Sequence, residues 1–188
     1  MGRYLGFRAH SVPVLEPGRG APPSLLLEMA RHNTANVMGE AVARALDAWR
    51  PQLDALARAA HPVETDHKLH ALEWRILPVG RVLKTDAVDH HAGLDLVGCQ
   101  DVAWDMVGGA VELNLSEPTL ATHVERPSGH VVSPLLPRFY LSFQCGHHTL
   151  AATTLKDAAP DKAFRLRAAA ARYAARLRDD LRGSPVVR

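Results

Sequence analysis

Two carboxylates in the middle of the chain, Glu73 and Asp86, have the residue type and spacing to hold a divalent cation. Leu72, Trp74 and Ile76 alternate with polar positions, Pro78-Val79-Gly80 supplies a turn, and Val82 to Lys84 leads back to Asp86. This pattern predicts two short strands joined by the turn. The arms of a hairpin lie side by side, so we expect Glu73 and Asp86 to be close in space, with Asp66 ahead of them. Carboxylate oxygens are the ligands that magnesium prefers. The pattern therefore predicts a magnesium site at the open end of this hairpin.

Phosphoryl transfer is the chemistry that these acids would serve. That reaction needs carboxylates to hold magnesium and another carboxylate to orient the attacking hydroxyl. The segment offers carboxylates for both tasks, because Asp66 precedes the hairpin, Glu73 starts it and Asp86 ends it.

The elements that must position these acids are predicted to be mainly helical. Apolar residues recur at helical spacing, and Ser, Asp and Pro stand where helices begin or end. We expect helices over about 24–51, 52–60, 101–115, 133–150 and 161–181, and a strand over 4–7. Pro127 and Pro134 predict a loop over 123–134. The fold class that follows is a mainly helical α+β domain with a small β-hairpin.

Asp105 stands between Trp104 and Met106 on one of the apolar helices. A buried carboxylate costs several kcal/mol unless it is hydrogen-bonded. We therefore expect Asp105 to be a structural anchor for a neighbouring backbone segment.

Thr65-Asp66-His67, the hairpin and the motif Asp101-Val-Ala-Trp-Asp105 resemble the kinase-like phosphotransferase superfamily, in particular its aminoglycoside and choline kinase-like branch. The resemblance implies that Asp66 is the catalytic-loop acid and that Asp105 holds this loop from beneath. It implies that Glu73 takes the place of a metal-binding Asn and that Asp86 is the second metal ligand. Mg²⁺ and ATP are the cofactors that it implies.

The resemblance is to the C-terminal lobe alone, over about residues 4–182 of a single domain spanning 1–188. Neither a glycine-rich phosphate loop nor a strand lysine precedes Ser24, and Ala71 stands where the family has its Asn, two residues before Glu73. The implied function is a magnesium-dependent phosphotransferase, or a degenerate or truncated relative of one. Its partners would be a small-molecule or unknown acceptor and a separate N-lobe chain.

Composition excludes several other classes of protein. The formal charge of the 188 residues is +2, and stacking aromatics and glycine-rich basic tracts are missing, so we expect no nucleic-acid partner. No apolar run approaches the roughly 20 residues that a membrane helix needs, which predicts a cytoplasmic protein. Cys99 and Cys145 are too few for a disulfide framework and are expected to be buried thiols.

Two other functions remain open at the sequence level. The ligand types of a metal-dependent hydrolase are present in one segment, at His67, His70, Asp86, Asp89, His90 and His91. However, adjacent histidines in an extended segment point in opposite directions, so at most one of His90 and His91 could join a given site. The second alternative is an interaction module without catalytic activity.

Overall fold

The structure is a computed structural model of the chain. It describes residues 1–12, 20–70, 73–86, 97–133 and 136–183. These residues group into two compact units, each built from two separate stretches of chain. Unit 1 comprises Met1–Ala21 and Ala59–Leu136, and unit 2 comprises Pro22–Arg58 and Pro137–Arg188.

Unit 1 contains the three predicted acids and the anchoring aspartate. Its elements are α1 (Gly2–Ser11), β1 (Pro62–Val63), β2 (Trp74–Ile76), β3 (Val82–Lys84), β4 (Gln100–Asp101), α5 (Ala103–Glu112) and α6 (Glu117–Ser128). The four strands form two separate antiparallel ribbons, β1 with β4 and β2 with β3.

The β1–β4 ribbon places the segment leading to Asp66 beside the segment leading into α5. Pro62 faces Asp101, and Val63 faces Gln100. The Asp101 carboxylate accepts hydrogen bonds from the backbone N–H groups of His61 and Ala103, each at 2.9 Å. It therefore joins the start of β1 to the start of α5.

The β2–β3 ribbon is the predicted hairpin. Trp74 faces Lys84 and Ile76 faces Val82, with Gly80 in the turn at a φ of 72°. Ile76 is exposed, however, so the expected alternation of buried apolar residues along β2 is not observed. Leu72, which belongs to the same pattern, lies outside the described residues.

Helices α1 and α6 pack closely in unit 1. A Cβ added at Gly6 would stand 2.7 Å from the carbonyl oxygen of His123 and 2.9 Å from a ring carbon of Pro127. Any larger residue at position 6 would push the two helices apart.

Unit 2 is entirely helical over the part of the chain that the structure describes. Its elements are α2 (Pro23–Met38), α3 (Glu40–Ala45), a 3₁₀ helix (Leu46–Gln52), α4 (Leu53–Ala59), α7 (Leu136–Thr154) and α8 (Pro160–Gly183), of which α4 and α7 each extend one residue into unit 1. Trp49 packs edge-on against Phe139 at 5.0 Å between ring centroids, and His148 packs against Tyr173 at 5.0 Å. These ring contacts tie α7 to the first stretch of the unit and to α8.

The structure confirms the mainly helical α+β class and corrects three predicted elements. Residues 4–7 are helical in α1, not a strand, and residues 123–128 of the expected loop belong to α6. The expected long helix over 24–51 ends at Met38, because Gly39 has a φ of 93° and a ψ of 160°, which only glycine adopts readily. Pro134, the last residue of the expected loop, lies outside the described residues.

Composition led to two further expectations, one about the cysteines and one about membrane-spanning helices. Both Cys99, in unit 1, and Cys145, in unit 2, are buried free thiols. Among the described residues, no helix has both the length and the apolar composition needed to cross a bilayer.

Candidate functional site

Asp66 lies three residues after β1, in a loop that α5 holds from its first turn. The backbone N–H of Asp66 donates to Asp105 Oδ2 at 2.8 Å, and the N–H of His67 donates to Asp105 Oδ1 at 2.9 Å. Both aspartates are fully enclosed, with 0 % and 1 % of their surface exposed. Because the Asp105 carboxylate binds two successive backbone amides, it fixes the backbone of the loop at Asp66.

The environment of Asp105 is unusual for a carboxylate. Burial, together with the nearby charge of Asp66, raises the pKa of Asp105 to about 6, against the lowering effect of the two amides and of Arg8. The Arg8 Nε atom lies 3.8 Å from Asp105 Oδ2. Arg8 also donates to the carbonyl oxygen of Glu64, so α1 holds the loop from a second direction.

The Asp66 side chain is covered by groups from α1 and β3. The Tyr4 hydroxyl donates to Asp66 Oδ2 at 2.5 Å, and Lys84 Nζ lies 3.4 Å from the same oxygen. The backbone N–H of Lys68 donates to Asp66 Oδ1 at 3.3 Å. Burial and the hydrogen bond to Asp66 raise the pKa of the Tyr4 phenol well above its usual range, so Tyr4 keeps its proton at neutral pH.

The two predicted metal ligands, Glu73 and Asp86, are both joined to Lys84. Lys84 Nζ lies 2.5 Å from Glu73 Oε2 and donates to the backbone carbonyl oxygen of Asp86. Asp86 itself is exposed, whereas the side chains of Glu73 and Lys84 are 19 % and 4 % exposed. The hairpin does bring the predicted residues together, but it does so around a lysine.

This arrangement does not fit a magnesium ion among the predicted ligands. A divalent ion about 4 Å from an ammonium group is repelled by roughly 8 kcal/mol at an effective dielectric constant of about 20. The Glu73 oxygen that would bind the metal is instead in direct contact with Lys84 Nζ. Magnesium could join Glu73 only if Lys84 moved away.

The structure describes only part of the residues of the hydrolase hypothesis. His67 Nε2 lies 2.7 Å from Thr65 Oγ1 and 3.0 Å from the carbonyl oxygen of Gly98, and the ring packs edge-on against Trp104. His67 therefore serves the folding of its own loop. Asp89, His90 and His91 lie outside the described residues.

A cavity of about 410 Å³ reaches the groups that cover Asp66. Its lining comprises Met1, Arg3, Tyr4, Trp74, Gly80, Arg81, Val82, Leu83 and Lys84. Among these described lining residues, three are basic and none is acidic. A phosphate group entering this cavity would meet favourable charge beside the two side chains that contact Asp66.

Sequence reasoning missed Tyr4, Arg8 and Lys84. Tyr4 and Arg8 are four residues apart and share one face of α1, but residues 4–7 were expected to form a strand. Lys84 was placed only as a strand residue leading to Asp86. A lysine in one arm of a hairpin, with an acid at the start of the other arm, is a pattern that predicts an ion pair across the strands.

The fold of the described residues and the Asp66 loop held by Asp105 resemble a kinase-like fold. Two solved structures of LicA are similar to this chain: LicA in complex with AMP, at 17 % identity and a TM-score of 0.56, and choline kinase LicA from Streptococcus pneumoniae, at 16 % and 0.55. The matches cover 92 % and 93 % of this chain but only 61 % and 62 % of LicA. At this identity the likeness shows the fold alone, and it confirms the fold that the resemblance implied. No family model and no curated protein matches the chain.

Proposed function

We propose that this chain is a kinase-like phosphotransferase domain that passes a phosphoryl group from a nucleotide such as ATP to an acceptor hydroxyl, with Asp66 orienting that hydroxyl. The supporting observation is the hydroxyl of Tyr4, which donates to Asp66 Oδ2 at 2.5 Å. A carboxylate that accepts a hydrogen bond from a hydroxyl is the arrangement in which an acceptor alcohol is aligned for attack.

Asp66 would receive the acceptor in place of Tyr4. Asp105 fixes the backbone amides of Asp66 and His67, so the carboxylate keeps its position when its hydroxyl partner changes. The proton of the attacking hydroxyl would pass to Asp66 Oδ2 as the new oxygen–phosphorus bond forms. The bond between the γ-phosphorus and the bridging oxygen of ATP breaks in the same step, and ADP leaves with that oxygen and its electron pair. Because Asp66 has no exposed surface, Tyr4 must move before an acceptor can enter.

The cavity beside Tyr4 and Lys84 supports the same proposal. Arg3 and Arg81 bring positive charge to it from α1 and from the hairpin turn. Basic side chains of this kind stabilise the charge of a transferring phosphoryl group. The related fold in complex with AMP makes an adenine nucleotide the first donor to test. Magnesium is left out of this mechanism because Glu73 and Asp86 both contact Lys84. The cytoplasmic location stays a prediction.

A non-catalytic interaction module is the second candidate. It is favoured by the complete burial of Asp66 beneath Tyr4 and Lys84. If Tyr4 and Lys84 never move away from the Asp66 carboxylate, the loop keeps the structure of a catalytic loop without its activity.

Nucleotide binding and phosphoryl transfer separate the two candidates. Purified protein is titrated with ATP by calorimetry, and transfer from labelled ATP is measured with choline, aminoglycosides and other alcohols. We expect transfer that falls at least about 100-fold in Asp66→Asn, with little change in ATP affinity. Asp54→Asn, an exposed acid on α4, is the matched control and should retain full activity.

Two results would contradict the proposal that the chain is a phosphotransferase. One is a folded protein that binds no ATP. The other is ATP binding without transfer to any alcohol, which would favour the interaction module.

A further inference from the structure

Lys84 stands at the centre of the predicted metal site. Its side chain is 4 % exposed, and its ammonium group is 2.5 Å from Glu73 Oε2 and 3.4 Å from Asp66 Oδ2. It also donates to the backbone carbonyl oxygen of Asp86. An ammonium group has three N–H donors, and three oxygen atoms of the predicted catalytic and metal-binding residues surround this one.

We infer that Lys84 is the resident cation of this site, and that its ammonium group replaces a divalent metal ion between Glu73, Asp66 and Asp86. This inference goes beyond the proposed function, since it concerns the charge held by the site and applies whether or not the chain transfers phosphate. The inference concerns only the divalent ion, because a phosphate-bearing ligand could still bind without magnesium.

The inference follows from charge balance. Asp66 is fully buried and Glu73 is mostly buried, and two nearby carboxylates require positive charge in such an environment. Lys84 supplies this charge from within the chain, because it ends β3 directly opposite Trp74, one residue beyond Glu73. The cation is therefore covalently part of the hairpin and is present at any magnesium concentration.

An ordinary structural ion pair makes a different prediction. If Lys84 only stabilised the hairpin, its removal would weaken the fold and leave the affinity for divalent ions unchanged. If Lys84 replaces a metal ion, its removal leaves carboxylates that a divalent ion can bind. The measurement that separates these two roles is metal affinity in a Lys84 variant.

Binding of Mn²⁺, used as a spectroscopic probe for magnesium, tests the inference in the full chain. We expect no stoichiometric binding to the wild-type protein at up to about 1 mM Mn²⁺, within the usual range of weak sites. Lys84→Met should bind one Mn²⁺ at least about ten times more tightly than the wild-type protein. Adding Glu73→Gln to this variant should remove the gain. Arg75→Met, which deletes an exposed positive charge from the same hairpin, is the control and should gain nothing.

Two outcomes would overturn the inference. One is a folded Lys84→Met protein with no gain in Mn²⁺ affinity. The other is stoichiometric Mn²⁺ binding by the wild-type protein that Glu73→Gln abolishes. The second measurement needs no Lys84 variant, so it decides the matter even if Lys84→Met does not fold. These metal titrations are also independent of transfer activity, so they can fail while the phosphotransferase proposal stands.

Discussion

Asp105 shows how a single buried residue organises the candidate site. Its carboxylate accepts the N–H groups of Asp66 and His67, and Arg8 approaches it from α1. Sequence alone led us to expect an anchor, because an acid on an apolar helix must find hydrogen-bond donors. The resemblance implied that the donors belong to the Asp66 loop, and the β1–β4 ribbon, which no local pattern predicted, is what brings that loop beside α5.

Replacing Asp105 by Ala should destabilise the protein strongly. The change leaves two buried amides without their acceptor and removes the carboxylate that lies 3.8 Å from the buried Arg8 Nε, so we expect the free energy of unfolding to fall by about 3 kcal/mol. Urea unfolding followed by circular dichroism measures this difference.

Asp47→Ala is the control for this experiment. Asp47 Oδ1 lies 2.9 Å from Arg50 Nε and 3.4 Å from Arg31 Nε in a half-exposed setting, where such pairs each contribute at most about 1 kcal/mol. Equal losses in the two variants would show that Asp105 is not an anchor.

The hairpin was the best predicted part of the candidate site, and its central residue was the least expected. The turn, both strands and the proximity of Glu73 and Asp86 to a common point follow from alternation and turn chemistry. The presence of Lys84 at that point does not, because period-two patterns assign a face of a strand but not the partner of a long side chain.

At the scale of elements, α6 shows why prolines misled the sequence interpretation. Pro118 occupies the first turn, where its missing N–H costs nothing, and Ser116 caps the helix through the N–H of Thr119 at 3.5 Å. Pro127 stands in the last turn and has no N–H to donate to the carbonyl of His123. The helix continues to Ser128 because α1 packs against this turn at Gly6. Tertiary packing of this kind is not encoded in local sequence, whereas the long apolar stripe of α8 predicted that helix almost to the residue.

Gly6→Ala should destabilise the contact between α1 and α6. Alanine favours an isolated helix by about 1 kcal/mol over glycine, but its Cβ would meet the His123 carbonyl oxygen at 2.7 Å. We expect a net loss of about 1–3 kcal/mol in the free energy of unfolding, measured with urea.

Gly109→Ala is the matched control. Its added Cβ meets only the flexible end of the Met1 side chain, at 3.2 Å, so the substitution should be neutral or slightly stabilising. A stabilised Gly6→Ala protein would show that the two helices do not approach as described.

At the scale of the whole molecule, each unit contains one buried cysteine. Cys99 and Cys145 each expose 2 % of their surface, and burial raises the pKa of Cys145 to about 11. Only a thiolate in contact with solvent reacts readily with a disulfide reagent.

Thiol labelling should therefore report the opening of each unit. In native buffer we expect both cysteines to react at least about ten times more slowly than in urea, in keeping with their burial. Cys145→Ala leaves a reporter in unit 1, and Cys99→Ala leaves one in unit 2. Rapid labelling of either variant under conditions where circular dichroism is native would contradict the described burial of that thiol.

The interleaved order of the two units has a consequence during translation. Unit 1 receives its second stretch when Leu136 has been synthesised, whereas the first stretch of unit 2, Pro22–Arg58, must wait for α7 and α8. At about 5–20 residues per second, this delay is on the order of ten seconds. During that time Trp49 lacks its ring partner Phe139, which lies on α7, so we expect this early segment to be a substrate for chaperones at the ribosome.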